Sequence, residues 1–479
     1  RELQRWVPEQ RTVVFHGAQS ERSRLAQEMR PRGANREAPF DILLTTYTYF
    51  ERDSCTADRA FIQKFKFRYV ITDEAHGIKN MNSSRYRRMI RIKSQRRLLL
   101  SGTPVQNNLE ELLALMSFCM PGVFDANSEQ LGSYFKGRGH NNAERIRAAL
   151  KPFVLRRLKS EVLGQLSPKQ EDVRLLDTER PQEAVYNAIV ERYRAKKAGC
   201  GTMSGEAYVA FFSELRKAAN HPLLVRNHFG RSAKDSDDGV DRSMDSLISA
   251  LVGVNAFGAS ATREMVAKEI RNYSDWELHL MAREFGGSSA TLRSMRLPDE
   301  RLWDACKAAE LRKLLPKLIA EDHRVLIFSQ WTTILDLLQN VLEALDIRYV
   351  RFDGQTAVSD RQSIIDTFNT DMSYHCCLLS TRAGGMGINL TSADTVILHD
   401  LDFNPSLDRQ AEDRCHRIGQ TKAVRVIKLV TRGTVDENIL HIQTEKKRLD
   451  DSLLSAAKTP RKSAKGGKSD PIRLIMESL

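Results

Sequence analysis

The tetrapeptide Asp73-Glu74-Ala75-His76 carries the residue types that phosphoryl chemistry needs. It follows Tyr69-Val70-Ile71-Thr72, a short β-rich run, so two carboxylates stand at the carboxyl end of a strand, where parallel sheets place their ligands. There Asp73 suits a Mg²⁺ ion at the β/γ-phosphates of a nucleotide, and Glu74 suits polarisation of an attacking water. A helix N-terminus decorated with acids is the competing account of the same residues. About one βαβ unit further on, Ser101-Gly102-Thr103-Pro104 ends another apolar run, Arg97-Leu98-Leu99-Leu100. Its hydroxyls can reach a carboxylate or a phosphate; in isolation it is a tight turn.

A second group of such residues lies far along the chain. Ser380-Thr381-Arg382-Ala383-Gly384-Gly385-Met386-Gly387 follows the run Cys376-Cys377-Leu378-Leu379. Three glycines in four positions allow close backbone approach to a phosphate, and Ser, Thr and Arg can bind one. Next comes Gln410-Ala411-Glu412-Asp413-Arg414-Cys415-His416-Arg417-Ile418-Gly419-Gln420. A helical reading puts Gln410, Arg414 and Arg417 on one face, where two guanidiniums suit a triphosphate whose charge grows in the transition state. The alternative is a solvated helix in which Glu412 and Asp413 pair with those arginines. Asp73 and Arg414 are 341 residues apart, so two separate elements must face a shared nucleotide and close upon it. Cys415-His416 and Cys376-Cys377 lack zinc spacing, and buried strand cysteines account better for the latter pair.

The elements that position these groups alternate strand and helix. Asp41-Ile42-Leu43-Leu44-Thr45-Thr46, Tyr69–Thr72 and Arg97–Ser101 read as strands buried on both faces of a parallel sheet. From Leu311 the alternation returns with Val325–Phe328, Cys376–Leu379, Thr395–Leu398 and Val424–Ile427, and a helix marked by Ile334, Leu338, Val341, Leu342 and Leu345. Between the blocks, Lys159 to Glu310 shows no strand run, and Pro181 to Lys197 has the spacing of an amphipathic helix. The fold expected is α/β: two RecA-like parallel-sheet lobes separated by a mainly helical insertion or linker. The expected domains are 1–158, 159–310 and 311–450, followed by a basic flexible tail at 451–479 that ends in a short helix. The net charge of +13, from 74 basic and 61 acidic residues, favours a polyanionic partner. Seven irregularly spaced cysteines exclude a disulfide scaffold. No apolar run approaches the ~20 residues of a membrane span, so no membrane partner is expected. The start, Arg1-Glu2-Leu3-Gln4, has neither Met nor signal peptide, so the chain reads as cut from something longer.

In this order the motifs resemble those of the SNF-two (SWI/SNF-like) chromatin-remodelling ATPases of helicase superfamily two. Asp73–His76, Ser101–Pro104, Ser380–Leu390 and Gln410–Gln420 match motifs II, III, V and VI. Phe153-Val154-Leu155-Arg156-Arg157-Leu158-Lys159-Ser160-Glu161-Val162 resembles the hallmark segment after the first lobe. Phe328-Ser329-Gln330-Trp331 resembles motif IV, and Arg351-Phe352-Asp353-Gly354 the short motif after it. Leu215–Leu224, Trp276–His279, Ile397–Asp400 and Cys415 are similar to the SMARCAD/Fun subfamily.

The resemblance implies ATP-driven tracking along duplex DNA, coupled to nucleosome sliding or editing, with ATP and Mg²⁺ as cofactors and the nucleus as location. It assigns Asp73 and Glu74 to Mg²⁺ and water, and Gln410, Arg414 and Arg417 to γ-phosphate sensing and charge stabilisation. It places His76, Ser101, Thr103, Gly385 and Gly387 at nucleotide-binding or coupling positions, and Thr46, Ser380 and Thr381 toward the DNA backbone. One departure is large. The family's Gly-Lys-Thr phosphate loop has no counterpart: Gly467-Lys468-Ser469 has Lys462 where the pattern needs Gly. The chain as written is therefore expected to hydrolyse ATP poorly by itself. The rival readings are a strand-separating helicase and a non-catalytic DNA- or histone-binding relative; oligomeric state stays open.

Overall fold

The computed structural model describes residues 2–30, 38–102, 109–124, 151–155, 157, 167–200, 203–236, 239–384, 387–454, 472, 475 and 476. The chain divides into two compact units, Arg1–Arg156 and Arg157–Leu479, so the boundary falls inside the segment Phe153–Val162.

In the first unit, β1 (Thr12–Val14) pairs in parallel with β2 (Ile42–Leu44), and β3 (Phe67–Thr72) with β4 (Ser94–Leu99) in the register Thr72↔Leu99. An aromatic core lies on one side: Phe15, Phe40, Tyr49, Phe50, Phe61 and Phe65 are buried, and the Phe15 and Phe61 rings stack at 4.9 Å. The other side departs from the sequence expectation. Val14, Leu44, Tyr69, Ile71, Leu98 and Leu100 are each 45–60% exposed, so these strands are buried on one face only. The described helices of this unit supply one apolar layer, whereas parallel strands ordinarily have two.

The second unit carries a six-stranded all-parallel sheet in the order β5-β10-β9-β6-β8-β7. Its strands are β5 (Lys169–Leu176), β6 (Val325–Ser329), β7 (Tyr349–Phe352), β8 (Cys376–Ser380), β9 (Thr395–Leu398) and β10 (Val424–Thr431). Alternate residues divide between two cores. Val325, Ile327, Cys376, Leu378, Ile397 and Ile427 face one core, while Leu326, Phe328, Cys377, Leu379, Val396 and Val426 face the other. This is why the three central runs are apolar throughout. Burial pushes the Cys376 thiol up to about 12, so it packs as a small apolar group.

Two expectations about organisation are corrected. The segment 159–310 contains β5, paired over its whole length with β10. Its helices also join the sheet's cores: Leu247, Leu251, Trp276 and Leu292 pack in the same cluster as Val325 and Ile327. Of the expected tail, residues 455–471 lie outside the described residues, helical residues 472, 475 and 476 agree with the short helix expected at its end, and the rest is corrected. The helix Val435–Leu454 runs past residue 451, and Ile475 and Met476 are buried in the second core, where the Tyr193 hydroxyl donates to the Met476 carbonyl at 2.6 Å. Among the described residues no helix is long and apolar enough to cross a membrane.

Asp408, in the helix Pro405–Glu412, gives this unit a pH dependence. Burial and then nearby Asp402 raise its carboxyl to about 7 against the donation it receives from Gln443 Nε2 at 2.5 Å. The folded value lies above the unfolded one near ~3.9, so the group's contribution is full below pH ~4 and is lost as pH rises through ~7. Asp408→Asn, which retains an acceptor for Gln443, is expected to flatten unfolding free energy between those limits. Relative to the variant, the parent should lose on the order of 4 kcal/mol across the window. Chemical denaturation at pH 4, 5.5 and 7 checks this; parallel curves for the two proteins refute it.

Candidate functional site

In the first unit the acid pair stands at the end of β3 and is fixed by backbone bonds. Leu100 N donates to Thr72 O, and Ala75 N donates to Leu100 O, both at 2.8 Å, so the start of Ser101–Pro104 is tied to Asp73 and Glu74. Asp73 Oδ1 accepts from Glu74 N at 2.9 Å, and the Tyr47 hydroxyl donates to Asp73 O at 2.7 Å. Glu74 is left-handed, at φ 49° and ψ 52°. That conformation costs a non-glycine residue on the order of 1 kcal/mol or more, and it occurs where the surroundings over-determine it, often at functional sites. His76 Nδ1 lies 3.2 Å from Glu74 Oε2, and Lys79 pairs with Glu111 at 3.1 Å. Asp73 is exposed and Glu74 half-buried. Thr46, the expected DNA residue, is exposed after β2, and Ser101 is half-buried after β4. Thr103 lies outside the described residues.

Tyr47 was missed by sequence reasoning. Burial raises its hydroxyl, so it stays a donor, and its ring carries the Arg85 guanidinium at 5.1 Å. The signal available was an aromatic directly after Thr45-Thr46 at a strand's carboxyl end.

In the second unit the carboxyl ends of β6, β7 and β8 surround an open cavity of about 500 Å³, lined by Gln330, Trp331, Thr332, Thr333, Gly354 and Ser380. Ser329 and Ser380 stand opposite each other in the register. The helix Thr332–Ala344 begins at this cavity, and helix N-termini favour anions. Asp400 organises the floor. It accepts from Ser329 Oγ at 2.5 Å and from Gln330 N at 3.1 Å, while Arg216 Nη2 donates to Leu401 O at 2.9 Å. Arg216 also covers the Trp331 ring at 5.0 Å. Burial raises the Asp400 carboxyl, opposed by Arg216. Ser380 and Thr381 are both 5% exposed, and Ser380 Oγ accepts from Ala383 N at 3.3 Å. Gly387 has φ +62°, a conformation that suits glycine; Gly385 lies outside the described residues.

The arginine segment corrects the helical reading. The helix ends at Glu412, and Arg414 and Arg417 sit in the turns that follow, not on one helix face. Gln410 is half-buried in the helix's last turn. Arg414 is 7% exposed; its amide donates to Ala411 O and its carbonyl accepts from Leu390 N, each at 3.2 Å. Arg417 is exposed and Nη1 donates to Ile388 O at 3.3 Å. The turns thus rest on the Ser380–Leu390 segment. Glu412 turns instead to Lys169 at 2.5 Å and Lys428 at 3.3 Å.

A parallel α/β unit with phosphate-suited strand ends and an arginine turn, together with a unit bearing Asp-Glu-Ala-His, defines a helicase-like ATPase architecture. Residues 1–224 match the SNF2-related domain, and residues 306–419 the helicase conserved C-terminal domain. Protein CHROMATIN REMODELING 19 of Arabidopsis thaliana is 40% identical over 474 residues, covering 95% of this chain and 60% of that protein. The SWI/SNF-related matrix-associated actin-dependent regulator of chromatin subfamily A containing DEAD/H box 1 of Xenopus tropicalis is 38% identical, covering 95% of this chain and 44% of that protein. The crystal structure of the C-terminal part of the Fun30 ATPase domain matches with a TM-score of 0.51 at 30% identity, over 60% of this chain and 97% of that one.

The chain belongs to the SNF2-related ATPase family, and its fold is that of two RecA-like lobes. It spans about half the length of the curated relatives it matches. The SNF2-related match extends to residue 224, so β5 and the helices Arg180–Cys200 and Gly205–Asn220 belong to that sequence domain yet to the second structural unit.

Proposed function

We propose that this chain is the motor of an ATP-dependent chromatin remodeller that tracks along double-stranded DNA to slide or edit nucleosomes in the nucleus. The observation that carries the reading is the acid pair: a strained Glu74 beside Asp73 at the end of β3, between Thr72 and Ala75, both of which bond to Leu100 just after β4. Glu74 orients the attacking water, and Gln410, Arg414 and Arg417 answer the charge growing on the γ-phosphate. His76, Ser101, Thr103, Gly385 and Gly387 couple nucleotide state to the lobes. The exposed Asp73 carboxylate is an oxygen donor of the kind Mg²⁺ takes and would hold the ion. Such an ion would supply neutralisation of phosphate charge.

The DNA side of the reading is supported by the second unit. Gln330 and Thr332 to Thr333, with Ser380, line an open cavity at a helix N-terminus, and a phosphodiester backbone suits it. Thr46 and Thr381 complete the proposed DNA set. A SMARCAD/Fun-type placement is supported by the relatives named with DEAD/H box 1 and by the likeness to Fun30.

The phosphate-gripping lysine loop comes, in this reading, from outside these 479 residues, so the residues alone hydrolyse ATP poorly. The exposed apolar side of β1–β4 supports this, since parallel strands are ordinarily covered on both faces. The test is ATP turnover by the full-length protein with linear duplex, single strands and nucleosomes. Duplex and nucleosomes are expected to stimulate more than single strands, duplex affinity to fall steeply with salt, and forked DNA to stay paired. Single-strand preference or strand displacement overturns the reading in favour of an unwinding helicase.

A further inference from the structure

The end of the Pro405–Glu412 helix is anchored by charges drawn from distant parts of the second unit. Glu412 is 1% exposed, two residues before Arg414. Its Oε2 lies 2.5 Å from Lys169 Nζ at the first position of β5, and its Oε1 lies 3.3 Å from Lys428 Nζ on β10. Glu171 bridges the same lysines at 2.9 and 3.1 Å, with Lys447 Nζ at 3.8 Å from the Val435–Leu454 helix. Burial alone lifts the Glu171 carboxyl, but Lys169, Lys428 and Lys447 outweigh it and hold it at about 2. The backbone follows the same route. Pro168 O accepts from Val424 N at 2.8 Å, and His416 Nε2 lies 3.0 Å from Ser167 O. Ser167 to Lys169 therefore grip both ends of the arginine turn, through Glu412 before it and His416 within it.

Removing Lys169 leaves Lys428 on Glu412 Oε1, so the carboxylate keeps one cation while Oε2 loses its hold on β5. Lys169 opens β5, which pairs with β10 over its whole length, so the lysine is carried on the sheet and not on the turn that it holds. We infer that Lys169 is a positioning residue: by holding Glu412 from β5 it sets the turn that carries Arg414, and through that turn it governs turnover. Its consequence for turnover rests on the proposed ATPase function; the tether itself does not.

The experiment compares full-length parent, Lys169→Met and Lys169→Arg by two readouts. In Lys169→Met, amide hydrogen exchange over residues 411–418 is expected to rise about ten-fold while β6 and β8 keep their protection. DNA-stimulated kcat is expected to fall about ten-fold, with KM for ATP and duplex affinity unchanged, because a misplaced charge-stabilising group slows the step without loosening binding. Lys169→Arg should restore both. Unchanged exchange at 411–418, or a rise shared equally by β6 and β8, overturns the tether. Raised exchange with unchanged kcat overturns the positioning role. A parent that shows no DNA-stimulated hydrolysis refutes the proposed function instead, and the exchange measurement still decides whether Lys169 holds the turn.

Discussion

Full-length protein carrying Glu74→Gln is expected to bind ATP and duplex DNA as the parent does and to turn ATP over about 10²–10⁴-fold more slowly. Gln keeps the length and polarity of the side chain and its reach to His76, which lies 3.2 Å from Glu74 Oε2. It removes the negative charge that polarises water, so the loss falls on kcat and not on binding. A second substitution separates chemistry from folding. Glu74 sits at φ 49°, ψ 52°, a conformation glycine adopts freely. Glu74→Gly is expected to slow turnover to a similar extent while raising unfolding free energy by about 1 kcal/mol. Single-turnover kinetics with nucleotide-binding and thermal-unfolding measurements check both variants. Activity surviving in Glu74→Gln removes the water-orienting role. A lower unfolding midpoint in Glu74→Gly shows instead that the left-handed turn is held for stability.

The same site shows what sequence conveys and what it leaves out. The acid pair was legible because a strand end is a local feature: β3 stops at Thr72 and the next two residues are carboxylates. Strands β6, β8 and β9 were legible because burial on both faces makes their middles apolar and confines polar residues, Ser329, Ser380 and Thr395, to their ends. β5 was not. As Lys169-Gln170-Glu171-Asp172-Val173-Arg174 it reads as a charged linker, yet an edge strand bonds through its backbone and can carry charges outward. The end of the arginine helix was equally hidden. Glu412 takes partners from 243 residues upstream and from β10, and Arg414's carbonyl is claimed by Leu390, contacts that no local spacing announces. The exposed side of β1–β4 was equally hidden, since an apolar run signals burial without saying which element provides it.

Lys307→Met is expected to cost the second unit about 3–5 kcal/mol, the largest stability loss of any single change considered for it. Lys307 is fully buried at the start of the Cys306–Ala320 helix. Its Nζ lies 2.6 Å from Asp436 Oδ2 and donates to Asn220 Oδ1 at 2.9 Å and His399 O at 2.8 Å, which matches the three protons of an ammonium. Methionine fills the channel of the stem but leaves the Asp436 carboxylate buried without its cation. Adding Asp436→Asn removes that stranded charge, so the double variant should recover more than about 1 kcal/mol of the loss. Urea denaturation of the four proteins in the cycle measures the coupling; a loss under ~1 kcal/mol for Lys307→Met refutes the argument. The loss also has a place. His399, whose carbonyl Lys307 holds, precedes Asp400, and Asp400 binds Ser329 and the Gln330 amide beneath the cavity. Removing the ammonium therefore loosens the floor on which the proposed phosphate contacts stand, and duplex affinity should weaken in Lys307→Met even at temperatures where the unit is still folded.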